Sequence, residues 1–357
     1  TTKARTLNAL ENKEAVNKFY ADWISSLGEV PPCKGCRQQP ENSRNFDNGW
    51  LSDETYFTPD VTRQLKWIEA NRYTGDNYYV QLKKPLLIPD FSNEKPYTDS
   101  SFPSAEMRLL SLSRYWNAVQ YYFPYKYAIG RDWKTILPEF IPKFYQPADT
   151  MSYHLALKEL VATINDSHAN ISTPYLNRWI GGRWVPFMFT IIDNKAVVSS
   201  FFNDTLARLN DMRLGDAILS INNKPVAEII KEKWKYSSGS NDAVKLRGMS
   251  YMLFNGHTDS VHLLYERDGA VQEKNIGRYL YSDLHYTFHN GGPDSFRILP
   301  GNIGYVNLGW LQPASVKDVM QSFADTKAIV FDVRGYPNGV LYMLAEYLNP
   351  QSTPFVK

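Results

Sequence analysis

The chain has 357 residues, of which 43% are hydrophobic and 21% charged, with a formal net charge of +2. That is the composition of an ordinary folded protein, long enough for two or three domains with sizeable cores. So small a charge gives no basic field for nucleic acid and no polybasic patch for a membrane surface.

Residues 1–104 read as a helical and extended region. The N-terminal "TTKARTLNALENK" has neither the apolar segment nor the cleavage site of a signal peptide, so the protein is cytosolic or a leader was already removed. Helices are expected near 13–26 and 59–71. Between them, Cys33 and Cys36 are the two cysteines of the chain. One CxxC is compatible with a small disulfide, a redox pair or half a zinc site. No second CxxC completes a metal site, and a redox motif should open a helix after a strand, whereas this pair follows two prolines. A structural disulfide, and with it an oxidising compartment, fits best. Residues 83–104 look like a linker or an extended wrap.

A strong helix follows Ser104, with Leu109, Leu112, Trp116, Val119 and Phe123 at helical spacing before Pro124 stops it. A second helix is expected near 133–144, made irregular by Pro138 and Pro142. A third runs over 152–165, with Leu157, Leu160, Val161 and Ile164 on one face and His154 exposed at its start. The corner "NDSHANIS" comes next. There the period becomes two, so His168, Asn170 and Ser172 should share a polar strand face, with His168 aimed at a cleft.

The stretch 179–277 is a different unit. "RWVPFMFTII", "KAVVSSFF" and "DAILSINNKPV" are strand candidates, with a "DNK" turn, a short helix "DTLARLN" and a tight turn at Asn222-Asn223. Residues 231–250 are charged and polar, and a hairpin closes around Asp268-Gly269. This describes a small β-rich barrel or sandwich. From 303 the order is strand "IGYVNLGWL", helix "SVKDVMQSFADT", strand "KAIVFDVRG" and helix "VLYMLAEYLNP". That is a parallel βαβ unit, and the near-continuous apolar run of its second strand predicts burial on both faces. Ligands in such sheets bind beyond the carboxyl ends of the strands, here "DVRGYPNG", where the amides of 338–341 open the next helix.

Three stretches carry a resemblance. "NDTLARLNDMRLGDAILSINNKPV" is similar to the PDZ pattern "sPAaraGLkpGDvIlsInGkpV", matching at Gly215, Asp216, Ile218, Ile221, Asn222 and Val226, with Asn210-Asp211 where glycine is common. "FDVRGYPNG" resembles the "DLRGNxGG" loop of the C-terminal-processing (tail-specific) serine peptidases. "NDSHANIS" resembles the "DgHt" corner of that family's tricorn-core branch, where a Ser-His pair belongs to a Ser-His-Ser-Glu tetrad. The order of the three is the family's domain order, and the resemblance covers 105–357.

The resemblance implies a multi-domain α+β fold: an N-terminal helical region (1–104), a helical part of the peptidase core (105–178), a PDZ-like domain (179–277), and the first part of an α/β, crotonase-like core (278–357). It implies His168 as general base and Ser167 as the second serine of the tetrad, a role that suits an imidazole near neutrality. The amides of Asn338 and Gly339 become half of an oxyanion hole. Tyr336-Pro337-Asn338 departs from the usual Asn-x-Gly, and an asparagine forced to positive φ would be strained. Gly181, Gly182, Trp184, Val185, Pro186 and Phe187 become the substrate-binding stretch, adding a peptide or unfolded-protein C-terminus as a strand. In the family the nucleophilic serine and the tetrad glutamate lie downstream of the DxRG strand, so the chain to Lys357 is expected to lack the nucleophile, to leave its peptidase core incomplete, and to be a fragment of a periplasmic or secreted peptidase.

No cofactor is expected. His257/His262 and His285/His289 invite a metal, but no carboxylate sits at ligand spacing beside both members of either pair, so none is predicted. Two other classes stay open: a non-catalytic PDZ-like peptide-binding protein, and, from 24 Tyr and 9 Trp, a secreted carbohydrate-binding protein.

Overall fold

The computed structural model describes residues 12–33, 36, 48–71, 77–83, 88–97, 100–285, 295–349 and 351. It is a mixed helix-and-sheet chain with several small, mostly antiparallel sheets, divided into two compact units, 1–284 and 285–357.

In the first unit, α1 (Lys13–Ser25) begins where the Asn12 side chain accepts a hydrogen bond from the Ala15 amide. Buried Asn17 ties it to α2 (Pro59–Ala70) by donating to the Tyr56 carbonyl and accepting from the Thr58 amide. Cys33 and Cys36 form a disulfide, and the Asn71 side chain at the end of α2 holds the Cys33 amide. The stretch expected to be a linker contributes a short strand: β1 (Gln81–Lys83) pairs antiparallel with β2 (Ile88–Asp90).

A helical layer follows, made of α3 (Ala105–Tyr122), α4 (Ile136–Tyr145), α5 (Thr150–Ala162) and α6 (Pro174–Ile180). Its core holds Leu112, Val119, Ile136, Phe140, Phe144 and Leu160, the residues that recur at helical spacing. Asp149 and Thr173 cap α5 and α6 through their side chains, while Ser104 makes no such bond to α3. Buried Arg108 clasps α3 to α4 by donating to the Phe144 and Tyr145 carbonyls. His154 corrects an expectation. It is buried, not exposed, because α6 packs against α5 and stacks Tyr175 on the imidazole at 4.7 Å, while Nε2 meets the Ser101 carbonyl at 2.9 Å.

The β-rich part contains β3 (Arg183–Trp184), β4 (Phe187–Ile192), β5 (Lys195–Phe201), α7 (Asp204–Leu209), β6 (Ala217–Ile221), β7 (Lys224–Pro225), α8 (Val226–Lys233), α9 (Asp242–Gly248), α10 (Ser250–Phe254), β8 (Ser260–Arg267), β9 (Ala270–Gly277) and β10 (Tyr279–Leu280). One antiparallel sheet runs in the order β4-β5-β6-β8-β9, with β7 beside β6, and β3 pairs with β10. Its tight connections are at Asp193-Asn194, Asn222-Asn223 and Asp268-Gly269, all at positive φ as two-residue hairpins of right-twisted strands require. Sequence 231–250 is more ordered than its polarity suggests. It carries the end of α8 and all of α9, and Met249 just before α10 is fully buried with Met252 and Phe254 in the core under the sheet. Asp216 of the Gly215-Asp216 pair is buried and bonded by the Arg267 guanidinium through Nε (2.7 Å) and Nη2 (2.6 Å).

In the second unit, β11 (Phe296–Leu299) pairs antiparallel with β12 (Ile303–Asn307), and β12 pairs parallel with β13 (Ala328–Asp332) after the crossover helix α11 (Val316–Ser322). Helix α12 (Leu341–Leu348) follows. Gly304 is required in β12, since a Cβ there would lie 2.8 Å from the Phe323 ring. The expectation that β13 is buried on both faces is corrected: Ile329 and Phe331 pack on the core of α11 and α12, whereas Val330, on the opposite face, is 45% exposed. Among the described residues only one helical layer covers this sheet. No described helix is long and apolar enough to cross a membrane.

Candidate active site

The corner after α5 is a turn, not the start of a strand. Asn165 takes positive φ and its side chain donates to the Ile129 carbonyl at 2.7 Å, which pins the corner to the helical layer. Asp166 then folds the chain over itself: its Oδ1 accepts from the His168 amide at 2.8 Å and its carbonyl from the Ala169 amide. Residues 169–173 have no strand partner, because Asn170 accepts the Ile171 amide and Thr173 caps α6, so no alternating face forms.

His168 stands at the apex, its side chain 99% exposed, with Nδ1 3.2 Å from Asp166 Oδ1. Nδ1–H donating to that carboxylate leaves Nε2 as a hydrogen-bond acceptor open to solvent, the tautomer a general base needs. Asp166 is a partner that residue-by-residue reading passed over. The i to i+2 spacing of "DSH" is the signal that could have found it, since an aspartate bonds its own backbone two residues on. Ser167 faces another way: its Oγ is 2.9 Å from Ser240 Oγ and accepts the Ser240 amide, joining the corner to the segment before α9.

The "GGRWVPF" stretch divides. Gly181 terminates α6 at φ 91°, its amide donates to the Asn177 carbonyl, and a Cβ there would lie 2.4 Å from the Gly256 backbone. Gly182 is exposed, and Trp184 is half-buried beside Phe202 and Tyr281. Val185, Pro186 and Phe187 are buried, and Phe187 packs on Phe254 with centroids 5.5 Å apart, so their side chains belong to the core and are closed to a ligand.

The DxRG segment shows why its residue types are needed. Asp332, at the end of β13, accepts from the Tyr305 hydroxyl (2.6 Å), from the Arg334 amide (3.0 Å) and from the Arg334 guanidinium (2.6 Å). The Arg334 side chain first, then the Tyr305 hydroxyl and the Arg334 amide, hold this carboxyl well below the usual carboxylate range. The loop after it touches the loop after β12 through two glycines, a Cβ on Gly309 lying 3.3 Å from Gly335 Cα. Positive φ falls on Gly339, so Asn338 is spared the strain its place in the motif suggested. Both amides expected to form the oxyanion hole already donate in this conformation, Asn338 to the Leu308 carbonyl at 3.1 Å and Gly339 to the Pro337 carbonyl at 2.9 Å.

Of the other histidines, His257 is exposed, His262 lies on β8 with Nε2 3.7 Å from Glu273, His285 is the last residue of the described stretch 100–285, and His289 falls outside the described residues. Among the described residues no group of three or more His, Cys, Asp or Glu could hold a metal.

No family model and no curated protein matches the chain. Among solved structures the chain is similar to a mutant of CPAF, at 13% identity and a TM-score of 0.48, over 68% of this chain and 59% of that one. It is similar to mature CPAF complexed with lactacystin at 12% identity and a TM-score of 0.44, over 64% and 55%. It is similar to the photosystem II D1 C-terminal processing protease at 16% identity and a TM-score of 0.28, over 64% and 59%. The chain therefore spans less than two thirds of the length of the structures it resembles.

Proposed function

We propose that these residues belong to a serine peptidase of the tail-specific type, in which His168 is the general base and Asp166 orients it. The observation that carries the reading is the turn at 165–168, where a fully exposed imidazole keeps Nδ1 on a carboxylate and Nε2 open. A structural histidine satisfies both nitrogens or fills a core, as His154 nearly does. His168 does neither.

The family resemblance makes "DVRGYPNG" an oxyanion-hole loop, and in this chain the amides of Asn338 and Gly339 must first release the carbonyls they now bond. Asp332 holds the loop's base rigid during that change. The nucleophilic serine is the family's serine downstream of the DxRG strand. The peptide enters through the PDZ-like part, pairing with the edge of β4 that has no partner strand among the described residues, beside α9. Gly182 and Trp184 remain its accessible contacts. The Cys33–Cys36 disulfide supports an oxidising, periplasmic or secreted, setting.

A second reading, a peptide-binding protein without catalysis, is favoured by one observation: both oxyanion amides are already occupied. The deciding experiment measures peptidase activity in the longest natural reading frame that contains these residues, with and without His168→Ala. Loss of activity at unchanged stability supports the base. Peptide binding with no hydrolysis by the unmutated protein supports the second reading.

A further inference from the structure

Lys158 lies on α5 among Ala156, Leu160 and Ala162, and only 5% of its surface is exposed. It forms no ion pair and no hydrogen bond among the described residues, unlike its neighbour Glu159, which pairs with Lys143 and Lys235. Lys158 is one of the residues lining a cavity of about 320 Å³ between α5, the segment after the histidine turn, α6 and α10. Among the described residues no carboxylate lines that cavity. Asn170, Ser172, Asn177 and Asn255 supply neutral polar groups, and Ile171, Ile180 and Trp184 supply apolar wall.

A mostly buried lysine without a counter-charge is costly, because desolvation of its side chain disfavours the charged form and no carboxylate among the described residues offsets it. Burial accordingly pulls the Lys158 ammonium below the usual lysine range. Proteins rarely retain such a group for packing alone, since a methionine of similar length fills the same space without the penalty.

We propose that this cavity is a binding site for a carboxylate, with Lys158 as its counter-ion and the asparagine side chains as its neutral donors. One cation matches one negative charge, whereas a phosphate dianion would leave a second charge uncompensated against Ile171, Ile180 and Trp184. The volume is at the small end of ligand sites, about 300–1,000 Å³, which suits a small acid or the last residue of a peptide. These two sources share the chemistry. The inference stands whether or not the chain is a peptidase, although Gly182 lines the same cavity.

The test is calorimetric titration of the 357-residue chain with butyrate, with a peptide ending in a free α-carboxylate, with its C-terminal amide, and with inorganic phosphate. Each titration is repeated on Lys158→Met and Lys158→Arg. Butyrate or the free-acid peptide is expected to bind, the amide and phosphate at least tenfold more weakly. Lys158→Met is expected to weaken carboxylate binding about 10- to 100-fold, the size of a hydrogen bond to a charged group, and Lys158→Arg to keep most of it. Binding by butyrate identifies a small-acid site, and binding only by the peptide identifies a chain terminus. Lys158→Met should melt no lower than the parent, so a loss of binding is not a loss of fold. Carboxylates that bind the Lys158→Met protein as tightly as the parent, or that bind neither, overturn the proposal. Equal binding by Lys158→Met of the free peptide but not of its amide would still leave the peptide-docking reading in place.

Discussion

Two regions treat charged side chains in opposite ways. In the β-rich part, Arg267 is buried with every face answered: Asp216 takes Nε and Nη2, the Asp211 side chain takes Nη1, and the Asp211 carbonyl takes Nη2. Asp216 hydrogen bonds, desolvation opposing them, and then Asp211 push the guanidinium further above its already high range. At the end of the helical layer the groups are left open. His168 has one carboxylate and a free Nε2, and Lys158 has no partner among the described residues. Saturated charges hold a fold together, and unsaturated ones are available to something that is not part of it. The assignment of roles rests on that difference.

The contrast is broken most directly by substitutions that should affect one property and spare the other. Under the proposed peptidase reading, His168→Ala should lower kcat/KM by about 10²- to 10⁴-fold while moving stability by less than about 0.5 kcal/mol, the range of a surface change. Kinetics and denaturant melts of the same preparation check both halves. Arg267→Met should do the reverse, costing about 3–5 kcal/mol by leaving Asp216 buried and unpaired, read as a fall in the denaturation midpoint. Gly181→Ala should cost about 2–4 kcal/mol, since it meets both a positive φ and the Gly256 backbone. The DxRG carboxylate gives a pH test. The folded pKa of Asp332 is depressed, so its contribution is complete above the unfolded value of about 4 and is lost as pH falls below it. The stability gap between Asp332→Asn and the parent should therefore be constant above about pH 4 and narrow progressively as pH falls from there towards the depressed folded value. Ser167→Ala should change activity by less than about tenfold, because its hydroxyl pairs with Ser240 and not with the imidazole.

Much of the architecture was legible in the sequence because local rules agreed with one another. Asp193-Asn194, Asn222-Asn223 and Asp268-Gly269 each demand a tight hairpin, and the apolar spacing of Leu112, Val119, Phe140 and Leu160 demands helices. What escaped the sequence depends on contacts between distant residues. His154 is buried by Tyr175 of another helix, and Met252 and Phe254 are core residues that follow a polar run. The alternation in 168–172 promised a strand, but no partner strand lies beside it, and side-chain bonds from Asp166, Asn170 and Thr173 win instead. At the candidate site the histidine could be singled out from its motif, but its aspartate and the nearby lysine needed coordinates. Val185 and Phe187 turn their side chains into the core, so any contact they make with a peptide is left to their backbone.

The central claim is that His168 acts by moving a proton through Nε2. It is tested by adding free imidazole to the His168→Gly variant of the longest natural reading frame and following hydrolysis of a peptide substrate. The account predicts that imidazole restores activity at least tenfold, saturably, and in its neutral form, with no rescue of an Asp332→Asn control. Activity that imidazole leaves unchanged, in a variant that folds and binds peptide as the parent does, or His168→Gly activity equal to that of the parent, contradicts it.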